Sequence, residues 1–164
     1  MQLFVHFLAG LVLAYLIGGI PFALIIGKVF FKTDPREYGS GNLGATNTFR
    51  VLGGRAALFV LFLDGLKGAV AVMLMRAIVT PAVAQGHVVP DWVMVSALLG
   101  AVVGHAFSPY LRFKGGKGVA AAAGSLFAMQ PIAAFICLGL FIIVVVTTRY
   151  VSVGSMSIAS IYPF

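Results

Sequence analysis

Long apolar runs alternate with short polar ones along this chain, at a spacing that suits a lipid bilayer. The first run, Leu3 to Gly27, is long enough at about 1.5 Å per residue to cross a hydrocarbon core of roughly 30 Å, and it predicts a membrane helix over 3–27. No basic residue precedes it and it exceeds the apolar core of a signal peptide, which favours a retained helix. A polar segment from Lys28 to Arg55 follows, and then a second span over 56–79 carrying Asp64 and Lys67. Those two are three residues apart, share a helix face, and are expected to pair and to face protein. Arg76, near that span's far end, is placed to snorkel to the interface.

The loop from Thr80 to Asp91 contains no Lys or Arg, whereas the third span, 92–111, opens on Trp92 and returns through His105 to Arg112, Lys114 and Lys117. By the positive-inside rule both basic loops lie in the cytoplasm and the N-terminus outside. The apolar stretch from Val119 to Thr147 is interrupted at Gln130-Pro131, so it reads as two antiparallel pieces, 118–129 and 132–147, which return Arg149 to the inner face. The first piece, about 12 residues and about 18 Å long, is too short to span and should be a half-buried helix packed on its neighbours. A last apolar segment, 157–164 onward, reaches Phe164 before completing a span, and the single membrane domain over 1–164 is expected to be truncated at its C-terminus. The expected fold is all-α: a polytopic integral membrane helical bundle with short and broken helices and cytoplasmic glycine-rich loops.

Composition agrees with this pattern. With 61% hydrophobic residues, 9% charged residues and a mean hydropathy of +1.08, a water-soluble domain is excluded. The 11 Lys plus Arg against 4 Asp plus Glu suit an anionic ligand or an anionic membrane surface, beyond the topology they encode. Cys137 is alone in an apolar run, which rules out a disulfide framework and assigns it to packing. His6 and His87 have no companions at metal-ligand spacing, so no metal site is expected.

Three polar runs carry the candidate chemistry. The first, Gly39 to Arg50, offers hydroxyls at Ser40, Thr46 and Thr48, amides at Asn42 and Asn47, backbone N–H groups freed to turn outward at Gly41 and Gly44, and an arginine able to fork onto phosphate. Ser, Asn and Gly also favour an ordinary capping turn, but turn chemistry does not need Arg50. The second, Gly104 to Gly118, includes Lys114-Gly115-Gly116-Lys117-Gly118 and feeds an alanine-rich helix start, a geometry that binds phosphate through free N–H groups and the positive helix end. It is not a Walker A loop, because Lys117 is followed by Gly118 and not by Ser or Thr. The third, Thr147 to Ser157, sets Ser152 and Ser155 beside Arg149; alone it reads equally as an interfacial anchor and a small-residue packing face.

These runs resemble the bacterial integral-membrane glycerol-3-phosphate acyltransferases that use acyl phosphate, the PlsY family. Ser40 to Arg50 is similar to the family's first motif, Gly104 to Ala120 to its second, and Arg149-Tyr150-Val151-Ser152 with Ser155 to its third, in order along the chain. Here proline follows Ser108, where family members commonly have it directly after the aromatic residue. The resemblance implies transfer of a fatty acyl chain from acyl phosphate to the 1-position hydroxyl of glycerol 3-phosphate, giving lysophosphatidic acid and phosphate in the bacterial inner membrane without coenzyme A or another cofactor. The matched functional positions are Ser40, Arg50, Lys117, Ser152 and Ser155.

On that reading Ser40, Arg50, Lys117 and Ser155 are catalytic, while Gly41, Asn42, Thr46, Asn47, His105, Lys114, Gly115, Gly116, Gly118 and Ser152 bind substrate phosphate. The expected partners are the two phosphorylated substrates and the lipid bilayer, with no nucleic acid. No carboxylate belongs to the three runs, and the residue five after His105 is Tyr110, which excludes a His-x-x-x-x-Asp pair. The proton acceptor is therefore His105 or a phosphate oxygen of a substrate, the latter favoured. The alternative function is a transporter or channel for a phosphorylated solute, since broken helices and membrane-embedded ions such as Asp64 and Lys67 also mark transport routes.

Overall fold

Proline lacks the N–H that a helix interior needs, and Gly18-Gly19-Ile20-Pro21 ends the first helix where the apolar pattern alone ran on to Gly27. The computed structural model describes residues 2–86 and 88–161. In it the segment expected as one helix over 3–27 is two, α1 (Gln2–Gly19) and α2 (Phe22–Phe31). A break within a bilayer exposes carbonyls that lipid cannot satisfy, at several kcal/mol each. Two side chains from elsewhere in the bundle meet that demand: Ser108 Oγ, just beyond the third span, donates to Gly19 O at 2.6 Å and Lys67 Nζ of the second span donates to Ile20 O at 2.8 Å.

α2 closes at Lys32, whose left-handed backbone (φ 52°) directs its N–H to Gly27 O. A 3-10 turn at Pro35–Glu37 follows, and then α3 (Ala45–Leu52), a helix that the polar composition of this segment concealed. Beyond Gly53, α4 runs over Gly54–Ala84, longer than the expected 56–79 at both ends. The third span ends as helix at Ala106, with 109–111 a separate 3-10 turn: α5 is Trp92–Ala106. α6 (Val119–Met129) and α7 (Pro131–Thr148) divide at Gln130-Pro131, proline at N1 costing α7 no hydrogen bond. The last helix, α8 (Val151–Ile161), starts six residues earlier than the expected 157; residues 162–164 of that expectation lie outside the described ones. Four segments are long and apolar enough to cross a membrane, those at Phe4–Phe31, Gly54–Ala84, Trp92–Leu111 and Pro131–Thr148. The protein is an all-α, multi-span integral membrane bundle.

Contacts fix the relative directions. Phe7 meets Trp92 edge to face at 5.0 Å, Gly100 faces Ala14 and Leu11, and Gly18 faces Ala101, so α1 and α5 run parallel. Gly10 against Met75 and Ile20 against Lys67 make α4 antiparallel to α1. α6 follows α4 in the same direction, with Gly65 near Ala120 O, Gly68 against Ala121, and Arg76 Nη2 at a long 3.4 Å from Ala128 O. Arg76 thus reaches back to the end of the short helix. This topology places the ends of α2 and α5 and the starts of α3, α4 and α6 at one end of the bundle, together with the first two polar runs. α8 folds back on α7, Gly154 lying against Val145 and Phe141, and α7 is the least buried of the spans.

Small residues drive the tightest crossing. A Cβ added at Gly124 would run into the backbone of Gly65, which has no side chain to yield, and one at Gly68 would meet the Ala121 carbonyl. In a bilayer, where lipid competes equally for apolar surface, such close backbone packing is a main source of helix association. Gly124→Val is expected to spread α4 and α6 and to lower the thermal midpoint in detergent, overpacking costing about 1–3 kcal/mol. Gly139, which has nothing within 4 Å of an added Cβ, supplies the control, and Gly139→Val is expected to leave the midpoint unchanged.

Candidate functional site

Asn47 organises the first polar run. It is buried on α3, and its amide makes bonds in both directions: Oδ1 accepts from Ser40 N at 2.8 Å and Ser40 Oγ at 3.2 Å, while Nδ2 donates to Pro35 O at 2.9 Å and Tyr38 O at 3.3 Å. Both ends of the amide are spent on the loop, so Asn47, expected to bind substrate phosphate, ties the loop together in this structure. Asn42 Oδ1 accepts from Gly44 N at 2.9 Å, an Asx turn that leads into α3. Gly39 and Gly41 both have positive φ, and a Cβ on Gly39 would strike Asn47 Oδ1. The result is a hydrogen-bonded loop that leaves Ser40, Thr46 and Arg50 exposed. Thr48 is turned inward, its hydroxyl bonded to Gly44 O at 3.1 Å.

Asp34 anchors this loop to α2. Its carboxylate accepts from Arg36 N, Nε and Nη2 at 3.0, 2.9 and 2.6 Å and lies 3.3 Å from Lys28 Nζ. The hydrogen bond from the Arg36 side chain, aided by its backbone N–H and by Lys28, holds the carboxyl well below the usual carboxylate range against the opposing pull of desolvation. Arg36 and Lys28 are thus engaged, whereas Arg50, Arg112, Lys114 and Lys117 are exposed and form no ion pair with any described carboxylate.

The second run wraps round the end of α5. Phe113 N donates to Ser108 O at 2.9 Å, Gly116 N donates to His105 O at 3.1 Å, and Arg112 and Phe113 both adopt left-handed backbone. Gly118, at φ +75°, starts α6 without a side-chain cap, and the first bond into that helix is Ala122 N to Gly118 O at 2.8 Å. The N–H groups of Val119 to Ala121 are therefore free of intrahelical partners beside Lys117. α3 likewise begins at Gly44 with no side-chain cap. Leu43 of the first run packs in a buried cluster with Ala23, Ile26 and Val60, with Leu111 of the second run against it, so the two loops share one apolar floor.

His105, expected to contact phosphate or to act as base, is turned inward. The residue is 7% exposed; Nδ1 lies 3.6 Å from Asp64 Oδ1 and the Nε2 edge rests on Gly116. Asp64 and Lys67 do form the expected inward-facing pair, Nζ to Oδ1 being 2.7 Å with both side chains almost wholly buried. These groups and Ser108 border a small cavity of about 10 Å³ at the α1–α2 break. Ser108 and Lys67 support the α1–α2 break, a role whose sequence signal is Pro21, since a helix break requires donors.

The third run stands apart. Ser155 Oγ donates to Ser152 O at 3.0 Å within α8, Ser152 is exposed, and Arg149 ends α7 in left-handed backbone. Among the described residues no hydrogen bond or ion pair joins this run to the other two. No three His, Cys, Asp or Glu among the described residues are grouped to hold a metal ion, and His87 lies outside those residues.

A family model described as glycerol-3-phosphate acyltransferase matches residues 8–164. The chain is similar to the glycerol-3-phosphate acyltransferase 2 of Moorella thermoacetica, 45% identical over 157 residues that cover 96% of this chain and 76% of that protein. It is 43% identical over 164 residues to the glycerol-3-phosphate acyltransferase of Chlorobaculum parvum, covering 96% of this chain and 68% of that one. Among solved structures it is similar to crystal structures of PlsY, an integral membrane glycerol 3-phosphate acyltransferase. The glycerol 3-phosphate form gives a TM-score of 0.80 at 36% identity, over 93% of this chain and 72% of that one. The lysophosphatidic acid form gives 0.80 at 34%, over 95% and 73%.

Proposed function

The chain belongs to the glycerol-3-phosphate acyltransferase family, and on that premise we propose that it transfers an acyl chain from acyl phosphate to the 1-position hydroxyl of glycerol 3-phosphate at the cytoplasmic face of a bacterial inner membrane. The observation that carries the site assignment is the meeting of the first two polar runs on a shared floor, with Arg50, Lys114 and Lys117 exposed and free of carboxylate partners. Both substrates are phosphorylated, and cations not neutralised within the protein favour them both electrostatically.

In this reading Lys117 and the open N–H groups at the start of α6 hold one phosphate, and Arg50 forks onto phosphate from the first loop, with Ser40, Asn42 and Thr46 adding neutral hydrogen bonds. The substrate hydroxyl oxygen attacks the acyl carbonyl carbon, the bond from that carbon to the phosphate oxygen breaks, and the hydroxyl proton leaves with phosphate. Lysophosphatidic acid and inorganic phosphate result. His105 faces Asp64 and Gly116 from beneath the loop, which supports a substrate phosphate oxygen over an imidazole as the proton acceptor. Holding the reactants in line supplies much of the acceleration, because phosphate is already a good leaving group. Ser155 and Ser152 complete the proposed site through α8, as catalytic and binding hydroxyls respectively, matched by the family's third motif.

Radiolabelled glycerol 3-phosphate assayed in detergent with acyl phosphate or acyl coenzyme A as donor tests the proposal. Labelled lysophosphatidic acid is expected from acyl phosphate alone. Product from acyl coenzyme A and none from acyl phosphate would refute the donor assignment, and liposome uptake of the label without acylation would refute the reaction.

A further inference from the structure

Two buried polar atoms face each other beneath the glycine loop, Asp64 Oδ1 and His105 Nδ1, 3.6 Å apart, in residues 1% and 7% exposed, and the imidazole nitrogen has no hydrogen-bond partner among the described residues. Lys67 Nζ approaches the same oxygen at 2.7 Å while donating to Ile20 O. On its opposite edge the imidazole is pressed against Gly116, where a Cβ would overlap Nε2, and a Cβ on Gly115 would overlap His105 O. The two glycines thus fit over this histidine on its ring side and its backbone side. Lys117 and the positive-φ Gly118 that opens α6 come next in the chain.

Resting on the proposed function, we infer that Asp64 and His105 are positioning residues that set the glycine loop, acting on glycerol 3-phosphate only through Gly116 and Lys117. A carboxylate beside Nδ1 favours the tautomer with a proton on that nitrogen and orients the ring plane, as carboxylates do for other functional imidazoles. The ring plane in turn sets where Gly116 rests. The backbone bond from Gly116 N to His105 O does not depend on the side chain, so replacing the ring removes its support alone. Lys67 is the other charge facing Asp64, and its bond to Ile20 O ties the same carboxylate to the α1–α2 break.

The test is a mutant cycle on the full chain in detergent, reading KM for glycerol 3-phosphate, kcat and the calorimetric Kd for glycerol 3-phosphate. His105→Ala is expected to raise both KM and Kd by about tenfold with a smaller change in kcat, the signature of lost positioning of a bound phosphate. Asp64→Leu with Lys67→Met removes the carboxylate without stranding the ammonium, and is expected to give a similar rise that His105→Ala does not increase further, since groups acting as one unit are not additive. Asn at 105 keeps a donor near the Nδ1 position and Gln near the Nε2 position. His105→Asn is therefore expected to stay within about threefold of the parent and His105→Gln to resemble His105→Ala.

An unchanged KM and Kd in His105→Ala, or multiplying effects in the combined variant, would overturn the inference. Should His105→Ala not fold, the Asn and Gln variants decide, and equal or reversed behaviour overturns it. A parent chain that binds glycerol 3-phosphate but forms no lysophosphatidic acid would refute the reaction alone, and the Kd comparison would still judge the positioning pair.

Discussion

Lys117→Ala is expected to lower kcat/KM for acyl transfer by about 10²–10³ while leaving the thermal midpoint in detergent unchanged. The two halves of that expectation follow from separate observations. The side chain is exposed and makes no hydrogen bond or ion pair with any described residue, so its removal strands nothing and opens no cavity. Its position between Gly116 and Gly118, at the uncapped start of α6, puts its ammonium where a phosphate would meet both the charge and the open N–H groups. Charge that develops on a phosphate leaving group is then held by a preorganised donor, the kind of contact whose loss costs about 3–4 kcal/mol. Lys117→Arg is expected to recover only part of the rate, because a planar fork replaces a compact point charge in a loop shaped by glycines. A folded Lys117→Ala enzyme with kcat/KM within about threefold of the parent would remove Lys117 from the proposed machinery. Arg112→Ala, which deletes an exposed cation from the same loop outside the glycine run, is the matched comparison for a purely long-range charge effect.

The spans were legible because a bilayer imposes a length and a polarity that single residues report directly, as do Trp92, the absence of Lys and Arg from Thr80 to Asp91 and the inward pairing of Asp64 with Lys67. The Gln130-Pro131 break was legible for the same reason that the one at Ile20-Pro21 should have been: proline removes a donor in both places. An unbroken run of apolar side chains around Pro21 hid the second case. α3 escaped because its residues, Ala45-Thr46-Asn47-Thr48-Phe49-Arg50, are those a turn also favours, and tertiary contacts of Asn47 and Thr48 decide between the two. Asn47 shows the limit for the candidate site. Its residue type announces hydrogen bonding, but only coordinates show that the amide bonds Ser40, Pro35 and Tyr38. His105 is the same lesson in reverse, a polar residue in a motif whose ring points into the bundle. The distance from Ser152 and Ser155 to the other runs depends on how α7 and α8 lie against α6, which no local pattern encodes.

Lys67→Ala is expected to produce the largest loss of stability of any single substitution in α4, of the order of 3–5 kcal/mol, read as a pronounced fall in thermal midpoint and in yield of folded protein. The ammonium serves two buried acceptors at once, Asp64 Oδ1 at 2.7 Å and Ile20 O at 2.8 Å, and also lies 5.7 Å from the centre of the Phe22 ring. Its removal leaves a carboxylate in the apolar interior with only His105 nearby, and leaves the carbonyl at the helix break with the single bond from Phe22 N at 3.2 Å. The cost comes from the groups left behind and not from the pair itself, because the penalty of desolvating two opposite charges nearly offsets their strengthened attraction in a low dielectric. That asymmetry makes a second expectation: Asp64→Leu with Lys67→Met, which deletes both charges and keeps the volume, should regain most of the lost stability. It should not regain affinity for glycerol 3-phosphate, since Asp64 is absent from beneath His105. Recovery of both together would make the buried pair a matter of packing alone, whereas recovery of the fold without the affinity separates what the pair does for the helix break from what it does for the glycine loop. An unaltered midpoint in Lys67→Ala would mean that water or a neighbouring group satisfies Asp64 and Ile20 O without the lysine, and the ammonium would lose its structural role.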